Sequence, residues 1–456
     1  MVQRQQNMSL WMLAWPVFLE MLLQFMLGTA DTLMVSHISD DAVAVIGIST
    51  QLFNAVNIFF TAVASGAGIL VAQKLGAGKE EDARTVGILG LNVCIGIGLL
   101  LSVLLYAGAG PIASWLQLPA ELQPLGQSYI SIVGGGMVFL AIMTALSSVI
   151  RNTGNTRAPM YIGIGMNLIH VAMNYVVIYG AFGFPVLGLE GVAFSTTISR
   201  IAACVVMLAI FRSSFSRKME WKEFRLFERP LFKETLKLSW PLGVNMSTWC
   251  FTQLIIFAFV AMIGAKELST RTYMNTMESF CFMIGFSVAL AGQIRIAHLY
   301  GSGEGRVAYR NAFQVLWVGM VLVLANALLL CIFGRETIEL FTADPEIVAM
   351  GVSLLALNLL LQPAKMLNMA IGNALTAVGE TRYIMMTGMP SMWIIAVGMS
   401  YFLAIGLGWG LSGIYVAMIT DEAIRGLAVL IRWRQKKFLA SPQPELKPNQ
   451  AAPSAG

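Results

Sequence analysis

Charge is what this sequence has least of. Only 12% of its 456 residues are Asp, Glu, Lys or Arg, about half the share that a soluble domain carries. That shortage excludes a water-soluble globular protein. Histidine is scarcer still: His37, His170 and His298 stand far apart, and no HExxH or other metal-ligand spacing is present. The five cysteines (Cys94, Cys204, Cys250, Cys281, Cys331) lie singly in apolar runs without a CxxC pair. They read as small buried hydrophobes, not as disulfides or metal ligands. A GxxxxGK[ST] loop is missing too. GAGKEED around Lys79 has the glycines but neither the spacing nor the hydroxyl residue, so a phosphate cradle for direct use of ATP is not expected. Neither a Ser-based nucleophile elbow nor a metal cluster is visible. Enzymatic chemistry, inside or outside a membrane, therefore has no visible nucleophile–base or metal set to work with, and no cofactor is expected.

What is abundant is apolar surface. Hydrophobic residues make up 57% of the chain and the mean hydropathy is +0.73. Runs of about 20 apolar residues, the length that crosses a bilayer, fall at 10–35, 43–72, 86–109, 126–150, 159–182, 187–211, 239–264, 272–297, 309–334, 346–372, 383–406 and 411–431. The expectation is an all-α polytopic membrane protein with twelve transmembrane helices and the lipid bilayer as its principal partner. The first run is too long for a signal-peptide core and no A-x-A site follows it, so no cleavable leader is expected.

Lys and Arg are distributed unevenly between the connections. Those after even-numbered spans hold Lys74, Lys79 and Arg84; Arg151 and Arg157; eight residues from Arg212 to Lys237; Arg295, Arg306 and Arg310; and Arg382. Those after odd-numbered spans hold only Lys266, Arg271 and Arg335. By the positive-inside rule both termini and the even-numbered connections are cytoplasmic, in a plasma (inner) membrane. The net charge of +5 is thus a topology signal, and no nucleic-acid partner is expected.

An internal repeat sets the organisation. Leu13, Trp15 and Pro16 recur as Leu238, Trp240 and Pro241; Gly76, Gly78 and Ala83 as Gly301, Gly303 and Ala308; Gly154, Thr156 and Arg157 as Gly379, Thr381 and Arg382, always 225 residues on. Each half has an even number of spans, so both enter from the same side and a pseudo-two-fold axis should run along the membrane normal. The domain reading is an N-terminal six-helix lobe (1–212), a cytoplasmic amphipathic linker (213–237), a C-terminal six-helix lobe (238–437) and a Pro-rich disordered tail (438–456). The linker interleaves Lys and Arg with Trp221, Phe224, Phe227 and Phe232, as an interfacial segment does.

Polar residues inside spans are costly and are the candidate site. At 100° per residue, Glu20, Gln24 and Asp31 share one stripe of the first span. Asp31 is read as functional; Glu20 is either a member of the site or a structural hydrogen-bonding group. His170 and Asn174, four apart, share a face of span 5, where His170 is either a packing residue or a proton carrier. Glu278 in span 8 and Lys365 in span 10 can cancel each other's charge, as a site or as a structural bridge. Asp421 and Arg425 make a local i, i+4 pair beside Glu422. Arg200, which the GLEG188/GLSG410 match sets opposite Glu422, is read as structural. Methionine is frequent, with 28 residues, and thioethers can line an adaptable pocket or simply fill a core.

GTADTLMVSHIS ending span 1, QKLGAGKEEDAR after span 2, RNTGNTRAP after span 4, GNALTAVGETRY after span 10 and DEAIRG in span 12, with a Trp-Pro opening each half, resemble the multidrug and toxic compound extrusion (MATE) transporters over residues 8–437. The resemblance implies a cation-coupled antiporter, acting as a monomer, that exports small amphipathic, often cationic compounds by alternating access. Asp31 matches the family's span-1 carboxylate. The Asn and Asp that span 5 of many members supplies are here His170 and Asn174, and Thr196 in span 6 falls near the same site. The span-7 Glu of one subgroup has no counterpart, since Trp249 and Cys250 occupy that region; Glu278 looks like the span-8 acid of others. With one carboxylate missing, H⁺ is favoured over Na⁺ as the coupling ion. A flippase for lipid-linked precursors would call for a strongly basic cavity, whereas few basic residues lie within spans (Arg200, Lys365, Arg425).

Overall fold

A computed structural model describes residues 9–217, 220–225 and 227–440. Twelve helices of membrane-crossing length follow one another: α1 (Leu10–Ser36), α2 (Asp40–Gly76), α3 (Glu80–Ala107), α4 (Gln123–Gly135 continued by Met137–Asn152), α5 (Arg157–Tyr179), α6 (Gly188–Ser213), α7 (Arg229–Ile263), α8 (Ala265–Gly301), α9 (Gly305–Ile332), α10 (Pro345–Ala377), α11 (Thr381–Gly406) and α12 (Gly410–Arg434). Ten contain an 18-residue stretch apolar enough to cross a membrane by composition, and α4 is an eleventh once its two pieces are joined across a 41° bend. The bend falls at Gly134, Gly135 and Gly136, where three residues without side chains weaken the helix. The freed N–H of Val138 donates to Ser102 Oγ at 2.9 Å. α12 falls short on composition because Asp421, Glu422 and Arg425 sit close together in it; those charges pair with one another and face inward. Large apolar side chains such as Leu99, Leu100, Val103, Trp317 and Val321 are exposed around the outside, a surface suited to hydrocarbon and not to water. The chain is an integral, multi-pass, all-helical membrane protein.

Local signals set the helix ends. Ser39 Oγ accepts the Ala42 N–H at 3.1 Å to cap α2, with Asp40 and Asp41 in its first turn and Lys74 in its last, each charge complementing the helix dipole. Asp344 caps α10 through the Glu346 N–H at 2.9 Å, followed by Pro345. One buried cluster draws its residues from Val35 to Leu238, and three smaller ones fill the rest, largely from the C-terminal half.

The repeat is legible as paired contacts. Arg157 lies 5.7 Å over the Trp15 ring, and its counterpart Arg382 lies 6.0 Å over Trp240. The halves cross where α2 meets α8. Gln73 Nε2 donates to Ala377 O at 2.7 Å, and its counterpart His298 contacts the carbonyl of Asn152, the counterpart of Ala377, through Nε2 at 2.8 Å. These contacts lie at the end of the bundle that carries the basic connections. Deeper along the same helices, Phe25 of α1 and Phe280 of α8 meet edge to face at 5.4 Å.

The linker differs from expectation at its C-terminal side. α7 starts at Arg229 because Pro230 occupies its first turn, leaving the helical turn Trp221–Arg225 as the linker's own structure. The side chain of Trp221 lies outside the described residues. Glu223 ties this turn to the N-terminal half by ion pairs with Arg84 and Arg217, and Asn92 Nδ2 donates to Phe224 O at 2.8 Å. Partial burial raises the Glu223 carboxyl, but the Glu220 N–H and the Arg217 and Arg84 guanidinium groups outweigh it and hold it below the ordinary carboxylate range. A lowered carboxyl contributes stability that is present above its unfolded value and lost as pH falls through its folded value. Proteolysis within 213–228 should therefore accelerate on acidification, and Glu223→Gln should remove that pH dependence. At the other end, a final turn at Lys437–Ala440 stacks Phe438 on Trp433 at 4.4 Å, so order continues past the expected boundary at 437. The tail from 441 onward lies outside the described residues.

Candidate functional site

Two polar cavities sit in the bundle, one in each half. The first, of about 560 Å³, is walled by α1, α2, α4, α5 and α6. α1 brings Asp31 to it and α5 brings His170, with Asn174 one turn further along the same face, buried behind them. His170 Nε2 stands 3.0 Å from Asp31 Oδ2, and Asn174 Nδ2 donates to Asp31 Oδ1 at 3.2 Å while lying 3.2 Å from the His170 ring nitrogen. Asn174 is fully buried, whereas the Asp31 side chain keeps 33% of its surface. The carboxylate is thus oriented from behind and open in front. Gln51, Asn54, Asn57, Tyr129, Thr196 and Arg200 complete the polar wall. Thr196 lines the same cavity as Asp31, with its hydroxyl donating to Val192 O at 2.9 Å.

Glu20 and Gln24 do not reach this cavity. They share the azimuth of Asp31 but not its depth: eleven residues of helix separate Glu20 from Asp31 by about 16 Å along the axis. Glu20 is buried nearer the basic end, 3.7 Å from Arg151 Nη1, and Gln24 is exposed. Their placement at the site is corrected accordingly.

The second cavity, of about 450 Å³, lies among α7, α8, α10, α11 and α12. Glu278 is its hub. Lys365 Nζ donates to Oε2 at 3.0 Å, Arg271 Nη1 to Oε1 at 2.9 Å and the Tyr415 hydroxyl to Oε1 at 2.5 Å. The Lys365–Glu278 bridge anticipated from charge balance is present. Arg271 and Tyr415 were not anticipated. Arg271 is almost wholly buried, with Tyr415 and Phe257 rings 5.3 and 5.8 Å from its guanidinium carbon. Arg271 is seven residues before Glu278, the same-face spacing that joins Gln24 to Asp31; the apolar run was cut one residue too late to include it. Across the cavity Arg425 pairs with Asp421 at 2.6 Å and Glu422 at 2.9 Å, and Asn368 Nδ2 donates to Glu422 at 2.8 Å. Three acids therefore face three bases. Met369, Met392 and Met418, with Trp249 and Phe282, supply the adaptable apolar remainder.

Breaking one partner out of a buried ion cluster costs about 3–5 kcal/mol, because the other charges stay buried and uncompensated. Glu278→Gln should accordingly lower the melting temperature of the detergent-purified protein. Adding Lys365→Met should recover part of the loss, since it removes one stranded cation. A single variant as stable as wild type would contradict the hub role.

The geometry matches the comparisons with known proteins. A family model described as MatE matches residues 16–176 and again 241–402, the two matches starting one repeat length apart. The chain belongs to the MATE family. This MATE transporter is 32% identical over 434 residues to an uncharacterized transporter of Bacillus subtilis, YisQ, with 95% of each chain covered. It is 26% identical over 444 residues to a probable multidrug resistance protein NorM of Thermotoga maritima, covering 94% of this chain and 93% of that one. A crystal structure of MATE in the bent conformation superposes with a TM-score of 0.88 at 15% identity, over 96% of this chain and 98% of the other. An outward-facing multidrug resistance MATE transporter of the MOP superfamily gives 0.83 at 16% identity, over 95% and 96%. At those identities the likeness establishes a shared fold. MATE proteins are cation-coupled transporters, not enzymes.

Proposed function

We propose that this transporter exports small amphipathic, often cationic compounds from the cytoplasm in exchange for protons, with Asp31 as the point where proton and cation compete. The observation that carries the reading is the Asp31–His170–Asn174 cluster at the wall of the first cavity. Asp31 is held by a ring nitrogen and an amide, while its exposed edge faces a space large enough for a drug-sized cation. A hard cation such as Na⁺ is better served by several oxygen ligands, and here both side-chain atoms that hold Asp31 are nitrogens. His170 can also take the proton that Asp31 gives up.

The excess of basic residues in one set of connections supports placing that end in the cytoplasm, with both termini. The contacts between α2 and α8 then close the cytoplasmic end, and the cavities communicate outward. In this state a proton from outside neutralises Asp31. Attraction for a bound cation is lost and the compound leaves. Rocking of the two six-helix lobes returns the site to the cytoplasm, where the proton departs and the next cation enters. The matched acids and bases of both cavities suit this role better than the pyrophosphate of a lipid-linked precursor, which would want a net positive chamber. Sodium coupling remains the second reading, supported by Asn174 Oδ1, which is buried without a hydrogen-bond partner.

The test is ethidium efflux from proteoliposomes with the pH and Na⁺ gradients imposed one at a time. Efflux driven by the pH gradient in sodium-free buffer is the expected result. Efflux that follows the Na⁺ gradient alone would replace the proton reading, and no efflux under either gradient would end the exporter reading.

A further inference from the structure

Three arginines reach the two cavities, and they are not alike. Arg271 is bonded to Glu278, and Arg425 to Asp421 and Glu422. Arg200, on α6 in the wall of the first cavity, has no carboxylate within 4.0 Å among the described residues, and its Nη1 is buried without a hydrogen-bond partner. The only acid lining the same cavity is Asp31, which already receives the His170 and Asn174 hydrogen bonds. The repeat offers no compensation: the 188/410 glycines, both at positive φ (55° and 57°), set Arg200 against the acid Glu422 in the other half. A buried guanidinium carries five N–H donors and cannot shed its charge. Left with an unused donor at a cavity wall it is costly to the protein alone and favourable only when an anion arrives.

We propose that Arg200 is an anion-accepting subsite of the first cavity, and that it selects for compounds bearing a carboxylate in addition to an amine or other cationic group. The guanidinium fork takes the carboxylate in two parallel hydrogen bonds, while the cationic group of the same molecule faces Asp31. The cavity thus presents one charge of each sign to a zwitterion, and Arg200, read from the sequence as structural, becomes a specificity residue. This rests on the exporter reading for its biological meaning, but binding alone decides it.

The experiment uses one xanthene dye as its zwitterionic free acid and as its cationic methyl ester. Their dissociation constants for the purified full-length transporter are measured by fluorescence anisotropy. The acid should bind more tightly to wild type, and Arg200→Gln should lower the ratio of the ester's Kd to the acid's by about tenfold or more, the scale of a charge-assisted bidentate contact. Arg200→Lys, which keeps the charge but not the fork, should fall between. A ratio unchanged in Arg200→Gln, or a wild type that prefers the ester, would overturn the subsite. Should wild type bind the acid in this manner yet move neither dye under a pH gradient or a Na⁺ gradient, the subsite stands and the exporter reading fails.

Discussion

Asp31→Asn should abolish substrate-driven proton movement while leaving the fold intact. The two side chains have the same shape, so the substituted amide keeps its oxygen for the Asn174 N–H now at 3.2 Å and presents its NH₂ toward the His170 nitrogen now at 3.0 Å. What disappears is the negative charge and the group that exchanges a proton. With Asp31 neutral, Arg200 becomes the only fixed charge on the cavity wall, and a cation meets net repulsion where it met attraction. Unit charges about 4 Å apart interact by roughly 1–4 kcal/mol between bulk water and a protein surface, so cation affinity should fall by about fivefold at least. The pH profile is the sharper readout. In wild type, cation binding should weaken as pH falls, because protonation of Asp31 competes with the cation; in Asp31→Asn that slope should flatten. Proteoliposomes loaded with a pH-sensitive dye report the coupling directly. Proton movement of wild-type size in the variant would remove Asp31 from the coupling step and leave the second cavity, with Glu278, as the place to look.

How much of this could be read from the chain alone differs between azimuth and depth. Periodicity reports which face of a helix a residue takes, and it put His170 and Asn174 on one face of α5, where i, i+4 neighbours are also neighbours in depth; that Asp31 belongs beside them was implied only by the family resemblance. The same arithmetic grouped Glu20 with Asp31, but a stripe that climbs about 16 Å serves two different layers, and Glu20 answers to Arg151 instead. Apolar-run length found all twelve spans, α12 among them despite its charges, which are tolerable because Arg425 pairs with Asp421 and Glu422 within the helix. Arg271 was assigned to a connection because a hydropathy window stops at the first strong charge. In the fold, α8 begins at Ala265 and carries Arg271 nearly two turns in. Tyr415 gave no signal at all: its hydroxyl acts only because α12 packs against α8, and packing partners are not written in local pattern. The repeat was the strongest long-range information, since one offset accounts for both Arg–Trp stacks and both hydrogen bonds that flank the α2–α8 crossing, from α2 to α10 and from α8 to α4.

That crossing leaves no room for a side chain at Gly76 or Gly301. A Cβ on Gly76 would sit 2.1 Å from His298 O, and one on Gly301 would sit 2.0 Å from Gln73 O. Both obstacles are backbone, so no side-chain rotation relieves them; the helices must part. Small residues at such a crossing are what lets two helices in a bilayer approach so closely. Parting them also lengthens the Gln73–Ala377 and His298–Asn152 hydrogen bonds, which are the symmetric pair that holds this end shut. Gly76→Ala or Gly301→Ala should therefore disfavour the state closed at the basic end without disturbing the buried clusters within each half. A shift of about 3 kcal/mol is enough to invert a population that was 10:1 in favour of closure. Transport should fall by more than about tenfold, since a carrier that cannot close one end cannot complete its cycle. The melting temperature should change little. Spin labels at Lys79→Cys and Glu304→Cys, counterparts on the two connections that follow α2 and α8, read the separation: a short distance in the parent and a longer one in each glycine variant. Because the 225-residue repeat relates the two glycines, the variants should behave alike. An alanine at either position that transports at the wild-type rate with an unchanged label distance would mean that this crossing is not part of the gate.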